Sequence, residues 1–346
     1  MESPSISESG LAKYYDTRYA GAYMSENDPD HQQRVIQLLG LAASPAPRRV
    51  LDYGCGAGAL TGLLALAYPN ARIVGCDISE QALAKAKLAH PGIEFVPTSE
   101  IAGTFDVIFS NHVLEHVLDL EAALELLTSH LAPQGWMVHV LPCGNPKSFE
   151  WEITECFVDG RKPKESGGMF YYEDPGHLRR LTSDALADLC AKKGLALAHA
   201  RFRNQFWGAV EWITAGNRRT VQQLFNPWRA GAAKRGKLWL LFLLFLAAVD
   251  LRQDAPRRAG ELGTLFRRLP PRDGRSWLLL ALSPLVLAMS FAGWCLDQAL
   301  RKAARREWAS RSQDPAASEM YLVFSDARAR DVSGSRIPRA ERSTTI

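Results

Sequence analysis

Three groups of residues have the types and spacing to do chemistry. The first is Val50–Gly58 (VLDYGCGAG), where Gly54, Gly56 and Gly58 leave room for a ligand to touch the backbone. A helix starting just after them would offer its unpaired N–H groups. The second is Asp77, which closes the next apolar run, at a place where a carboxylate accepts hydrogen bonds from both hydroxyls of a ribose. The third is Asn111-His-Val-Leu-Glu-His116, with His177 further on: side chains able to take a proton from an acceptor group. His112 and His116 are four apart, and so share a face if the segment is helical. Gly54-x-Gly56-x-x-Ala59 also satisfies the loose dinucleotide fingerprint. Asp52, two places before the first glycine, separates the two readings, since an acid there repels a diphosphate and suits a cationic ligand.

These residues need a scaffold that brings strand ends together, and the sequence supplies one. Arg48–Tyr53, Ala71–Ile78, Ile93–Pro97, Phe105–Ser110 and Gly135–Leu141 read as strands. Helical patterns at Ala59–Tyr68, from Ser79, and at Leu120–Leu131 lie between them. Alternation of this kind predicts an α/β fold with a Rossmann-like, doubly wound, mostly parallel sheet. Thr182–Lys193 reads as a further helix, capped by Thr182 or Ser183, and Gly194–Phe202 as a sixth strand. Glu319–Ser325 is its natural antiparallel partner and completes seven strands. Residues 143–181 are irregular and aromatic, and connections of that length are commonly functional.

Composition narrows the classes. The 346 residues are 47% hydrophobic and 23% charged, which rules out wholesale disorder. Six scattered cysteines with no CxxC pair argue against a disulfide scaffold or a zinc ribbon and suit a reducing compartment. The first residues have neither the basic nor the apolar region of a secretory signal. The net charge of +4 conceals a split: residues 1–200 hold 16 Lys and Arg against 25 Asp and Glu, and residues 201–346 hold 25 against 12. The second half is suited to an anionic partner.

Asp52, Gly54, Gly56 and Gly58, with Asp77 beyond, form a D-x-G-x-G-x-G pattern that resembles the class I S-adenosylmethionine-dependent methyltransferases. Phe105–His116 is similar to that family's fourth strand and the helix after it, Gly135–Leu141 to its fifth strand, and His177–Thr182 to the stretch before a later helix. The resemblance covers about residues 12–205 and 319–327. It implies S-adenosyl-L-methionine as cofactor. Asp52 would orient the methionine amino group through the loop, and Gly54, Cys55, Gly56 and Gly58 would line the methionine end. Asp77 and Ile78 would hold the ribose and flank the adenine, with Asn111 beneath the methyl donor. Thr98, Ser99 and Glu100 all qualify for the adenine amino group, and Ser99 stands for them in the cofactor set.

His112, His116 and His177 are the candidate catalytic bases, with packing as the competing role for the first two. His112–His116 (H-x-x-E-H) resembles the E-x-x-E-H stretch that quinone-pathway O-methyltransferases associate with a divalent metal. His112 replaces a Glu of that pattern, which speaks against an oxygen-rich site, and no metal ligands are assigned. Tyr14, Tyr15, Arg18 and Tyr19 suit a lid within a helical N-terminal segment, residues 1–47, over a methyltransferase domain of 48–206 plus 319–327.

Residues 207–318 read as a helical, membrane-associating insertion, and 328–346 as a disordered basic tail. Leu238–Val249 is an apolar run reaching ~18 Å as a helix, whereas Trp277–Leu296 reaches ~30 Å and carries Pro284 as a kink. Pairing of the strands at 194–202 and 319–325 returns the chain to the side it left. Arginines 252, 257, 258, 267, 268, 272 and 275 lie between the two runs, which opposes a two-span hairpin. Monotopic insertion into the cytoplasmic side of a membrane follows, with arginines meeting anionic headgroups. The expected activity is O-methylation of a lipid, an isoprenoid-quinone precursor or a lipid-linked glycan. The alternatives are a non-catalytic membrane scaffold on this fold and an NAD(P)-dependent oxidoreductase. A nucleic-acid partner is not expected, because the basic residues bracket apolar runs rather than interleave with stacking aromatics.

Overall fold

Seven strands form one sheet in the order β3-β2-β1-β4-β5-β7-β6. The computed structural model describes residues 7–21, 28–42, 46–157, 160, 170, 176–267 and 274–327. The strands are β1 (Arg49–Tyr53), β2 (Arg72–Asp77), β3 (Glu94–Pro97), β4 (Phe105–Asn111), β5 (Leu131–Pro142), β6 (Leu195–Arg203) and β7 (Glu319–Asp326). β1 runs parallel to both β2 and β4, with Leu51 opposite Val74 on one side and Ile108 on the other. β2–β3 and β4–β5 are parallel as well. Arg203 O accepts from Ser318 N at one end of the β6–β7 pair and Gly194 O from Ala327 N at the other, so β7 runs antiparallel to β6. The sheet is mixed, as the sequence predicts. Val50, Leu51, Val107, Ile108 and Phe109 are fully buried, the mark of strands covered on both faces.

The order has a functional consequence. From β1 the chain winds outward through β2 and β3, then returns to the other side of β1 with β4. Crossovers leave β1 and β4 in opposite directions there, and a crevice opens at their carboxyl ends.

The chain forms two units. The first comprises Met1–Leu141, Asp184–Ala200 and Tyr321–Ile346. Its helices include α1 (Glu8–Ala20), α2 (Pro29–Leu39), α3 (Ala59–Ala67), α4 (Glu80–Ala89) and α5 (Leu120–Ser129). Ser7, Asp28, Ser79 and Asp119 cap four of these through side-chain oxygens that accept a backbone N–H of the first turn. α1 presents Leu11, Tyr15 and Tyr19, four apart, as a buried stripe over Ala82. One expectation fails. No helix directly follows β4: residues 113–116 make a single turn, His116 N donating to Val113 O, and the helix waits until Leu120.

The second unit comprises Pro142–Ser183 and Arg201–Met320. It contains α6 (Phe149–Thr154), and α7 (Ser183–Lys192) begins at its edge. Then follow α8 (Trp207–Ala215), α9 (Arg218–Leu224), α10 (Arg235–Val249), α11 (Ala255–Phe266), α12 (Gly274–Ala281) and α13 (Ser283–Arg311). α10 buries Leu238, Phe245 and Val249 against Ile153, Ile213, Val221 and Phe225. A π-helical turn at Asp250–Asp254 continues it and buries Arg252, whose guanidinium is held by Glu211 and Asp297. Glu307 on α13 accepts from the N–H groups of Phe206, Trp207 and Gly208, closing the amino end of α8. The expected kink near Pro284 is a break at Leu282, after which Pro284 sits in the first turn of α13. No helix among the described residues is long and apolar enough to cross a membrane. The expected tail at 328–346 lies outside the described residues.

Candidate functional site

β1 ends in the glycine loop, which two backbone hydrogen bonds lash to the neighbouring strand: Gly54 N and Cys55 N both donate to Cys76 O, at 2.8 and 2.9 Å. Gly54 and Gly56 have φ of 74° and 54°, a region that side chains rarely adopt. A side chain on Gly54 would overlap Val113, and one on Gly56 would collide with the Tyr19 hydroxyl. Asp77 fixes the loop from the end of β2. Its Oδ2 accepts from Gly56 N and its Oδ1 from Ser79 N, both at 2.9 Å. Burial pushes the Asp77 carboxyl above its ordinary value, while the N–H donors of Ser79 and Gly56 pull the other way. Asp52 is buried and accepts from the Thr61 hydroxyl at 2.6 Å. The Cys55 thiol is pushed well up, first by burial and then by the charges of Asp52 and Asp77. It is therefore a neutral lining group and not a nucleophile.

The opposite wall is the end of β4. Asn111 is buried, and His31 Nε2 of α2 lies 3.0 Å from its Oδ1. His112 has a φ of 53°, which for a non-glycine residue stores backbone strain of the kind that gathers at functional sites. Its Nδ1 lies 3.0 Å from Oε1 of Glu115, whose side chain is 1% exposed. His116 Nε2 lies 4.0 Å from the same oxygen, and its Nδ1 is 2.7 Å from the Tyr15 hydroxyl. Glu115 thus stands between two histidines. The two rings are not on one face of a helix, because no helix is present.

α1 roofs the crevice. Asp16 Oδ1 accepts from the Ser79 hydroxyl at 2.7 Å and from Gln81 N at 3.2 Å, pinning the helix to the start of α4. Tyr15 and Tyr19 face inward, while Arg18 turns outward and donates to the Tyr14 hydroxyl. Of the aromatic and basic residues expected in a lid, two line the site and two do not.

Between these walls lies a cavity of about 900 Å³ counted to its open mouth. Asp52, Gly54, Cys55, Gly56, Asp77, Ile78, Asn111, His112 and His116 line it. Two expected cofactor residues do not. Gly58 faces His90, Ala86 and Phe95, so its bareness serves packing of the loop against α4 and β3. Ser99 is exposed in the turn after β3, and Thr98, one residue earlier, reaches the cavity instead. His177 belongs to the second unit, half-buried in the extended stretch before α7. Residues 171–175, part of the irregular aromatic connection, lie outside the described residues. Sequence reasoning missed His31. The Asp28-Pro29 pair signals a helix start, but nothing in the sequence places that helix beside Asn111.

The residues present fit an adenosyl amino acid. The cradle is bare where a ligand must approach the backbone, and a buried acid closes the neighbouring strand beside it.

Comparison with known proteins agrees. A family model described as a methyltransferase domain matches residues 25–200. The chain is 34% identical over 119 residues to the trans-aconitate 2-methyltransferase of Acidovorax sp. (strain JS42), covering 33% of this chain and 46% of that protein. It is 35% identical over 142 residues to the ubiquinone biosynthesis O-methyltransferase of Bordetella avium (strain 197N), covering 37% and 58%. The chain spans about half the length of the curated relatives it matches. Among solved structures, the N-methyltransferase NodS of Bradyrhizobium japonicum WM9 aligns with 19% identity over 55% of this chain and 88% of that one, at a TM-score of 0.40. Since the family model takes in half of the residues, including both walls of the crevice, the chain belongs to the methyltransferase-domain family, in the class I group whose cofactor is S-adenosylmethionine.

Proposed function

We propose that the protein transfers a methyl group from S-adenosylmethionine to a hydroxyl of a lipid-like acceptor at a membrane surface. The carrying observation is the cavity itself: a glycine cradle with a buried carboxylate on one wall and a histidine–glutamate pair on the other. Asp77 takes the ribose hydroxyls, the backbone of residues 54–56 takes the methionine end, and Thr98 stands where the adenine amino group arrives. Asp52 holds the loop through Thr61. Bound there, the cofactor supplies an activated methyl on a sulfonium, so the protein has mainly to align the acceptor and remove its proton. His112 is suited to that removal. Glu115 fixes its Nδ1, which leaves Nε2 as the proton-accepting atom in the neutral ring. His116, bonded to Tyr15, holds α1 over the reacting centre.

The lipid acceptor is supported by the second unit. α10, α12 and α13 expose Leu240, Leu243, Leu244, Trp277, Leu285 and Phe291, a display that soluble monomers rarely make without a partner. We place the protein on the cytoplasmic side of a membrane, entering one leaflet. Mass spectrometry of lipids from cells with and without the protein tests this: a species heavier by one CH₂ should appear only with it. Absence of any such species among lipids, together with a methylated water-soluble product, would refute the lipid acceptor.

A further inference from the structure

α13 touches its own unit along one thin line. Val286, Gly293, Leu300 and Glu307 are buried, one residue in every seven. A helix packed on a protein core buries three to four positions in that span. Large apolar side chains of its first half stand open: Leu285, Leu287, Phe291 and Trp294 are 56%, 53%, 66% and 58% exposed. α12, one residue upstream, adds Trp277 and Leu278 at 58% and 60%.

The outer face changes character along its length. Leu287, Phe291, Trp294, Gln298, Lys302, Arg305 and Ala309 recur every three or four residues and therefore lie in one row. The row is apolar up to Trp294 and basic from Lys302, with Arg306 beside it, and Gln298, Lys302, Arg305 and Arg306 line a shallow groove there. Phe291 and Arg305 are ~21 Å apart along the axis. Leu287 to Trp294 is ~10 Å, within the ~15 Å of one hydrocarbon leaflet. Asp297, the acid between the two halves, is held by Arg252 and Arg301 and presents no unmatched negative charge.

We propose that this face is a membrane-docking arm. Trp277, Leu278 and the apolar half of α13 enter the acyl layer of one leaflet, and Lys302, Arg305 and Arg306 meet the phosphates of anionic lipids. The proposal deepens the lipid-acceptor reading and depends on it for the substrate alone. The stacked Phe291–Trp294 pair, centroids 5.9 Å apart, lies toward the basic end of the apolar stretch, where interfacial aromatics gather. A second copy of the chain matches the face poorly. Parallel pairing sets the basic halves against each other, and antiparallel pairing sets each apolar half against a basic one.

Cys295 offers a probe, because it is exposed among these residues while the other five cysteines are buried. The full chain, labelled there with an environment-sensitive fluorophore, is mixed with phosphatidylcholine vesicles with and without one-third phosphatidylglycerol. The label should shift to the blue and the protein should float with the anionic vesicles. Phe291→Ser with Trp294→Ser should abolish both signals. Lys302→Gln with Arg306→Gln should weaken partitioning about thirtyfold, at about fivefold per basic residue, and reduce its salt dependence. Failure to float, or floating unaffected by either pair, overturns the proposal. So does a blue shift without vesicles accompanied by a doubled mass in light scattering, which would assign the face to a second copy. Oligonucleotide binding without vesicle binding overturns it as well. Calorimetry with S-adenosylhomocysteine on the same samples separates the two readings: vesicle binding without donor-product binding would leave the arm standing and remove the enzyme.

Discussion

Asp77→Ala puts the cofactor site to its sharpest test. The carboxylate does two jobs whose consequences differ in size. It ties the loop through Gly56 N and Ser79 N, and each such bond contributes about 1 kcal/mol net. Against that loss, the substitution removes a charge whose burial is unfavourable, as the raised pKa records. The fold should therefore lose about 1 kcal/mol or less, a drop of a few degrees in Tm. Its proposed second job is to accept from the ribose hydroxyls, and hydrogen bonds to a charged group are worth roughly 1.5–3 kcal/mol, or ten- to a hundredfold or more in Kd. Titration calorimetry with S-adenosylhomocysteine, beside a melting curve, reads both. The pH dependence adds an independent sign. A raised folded pKa means that the fold takes up a proton before the unfolded chain does. Through Asp77 alone, free-protein stability then rises as pH falls from that raised value toward 3.8. Over the same window ligand affinity should fall, because the protonated acid is the weaker acceptor. Unchanged Kd in a folded Asp77→Ala variant would refute the ribose assignment, and with it the placement of the cofactor.

His139 on β5 is fully buried against Ser110, and burial pushes its pKa from 6.5 down to about 4. Its neutral form stabilises the fold above pH 6.5, and acidification withdraws about 2 kcal/mol by pH 5; His139→Gln should flatten that slope in urea titrations. His112→Asn keeps a residue tolerant of positive φ while removing the base, so kcat should fall 10²–10⁴-fold with cofactor Kd unchanged. An unaltered kcat would return His112 to a packing role. Gly58→Ala should lower Tm through strain and crowding against His90 and Ala86 yet leave cofactor affinity nearly intact, whereas Gly56→Ala should weaken it, as calorimetry on both would read. Arg252→Met removes a buried guanidinium but leaves Glu211 to Arg203 and Asp297 to Arg301, and should cost about 1.5–3 kcal/mol in denaturant unfolding.

The sheet was legible because its evidence is local. β1, β2, β3, β4, β6 and β7 are short apolar runs bounded by turn residues, and each begins and ends within a residue of the predicted limits. β5 starts four residues early, at Leu131, since Pro133-Gln134-Gly135 reads as a turn and Gln134 does take a φ of 63°. α11 was invisible for a different reason. Arg257, Arg258 and Glu261 give its sequence the look of a charged linker, and only Ala255 and Leu262 are buried.

The site divides along the same line between local and tertiary information. Asp52, Gly54, Gly56 and Asp77 were readable because a strand, a bend and a second strand in close succession dictate where they go. Ser99 against Thr98 is a choice of which side chain in one short turn points inward, and composition does not decide it. Gly58 looked identical to its neighbours in the motif, but the atoms that fill its missing Cβ come from Ala86, His90 and Phe95. The His112–Glu115 pair, three residues apart, would also meet on a helix; what the sequence hid is the φ of 53° at His112. A helical reading sets His112 beside both Glu115 and His116, with an ordinary negative φ at His112. That departure is the informative error. A histidine held at positive φ, with a buried carboxylate on its ring, is costly to build. That cost accords with the proposed role of His112, whose imidazole it brings to the lining of the crevice.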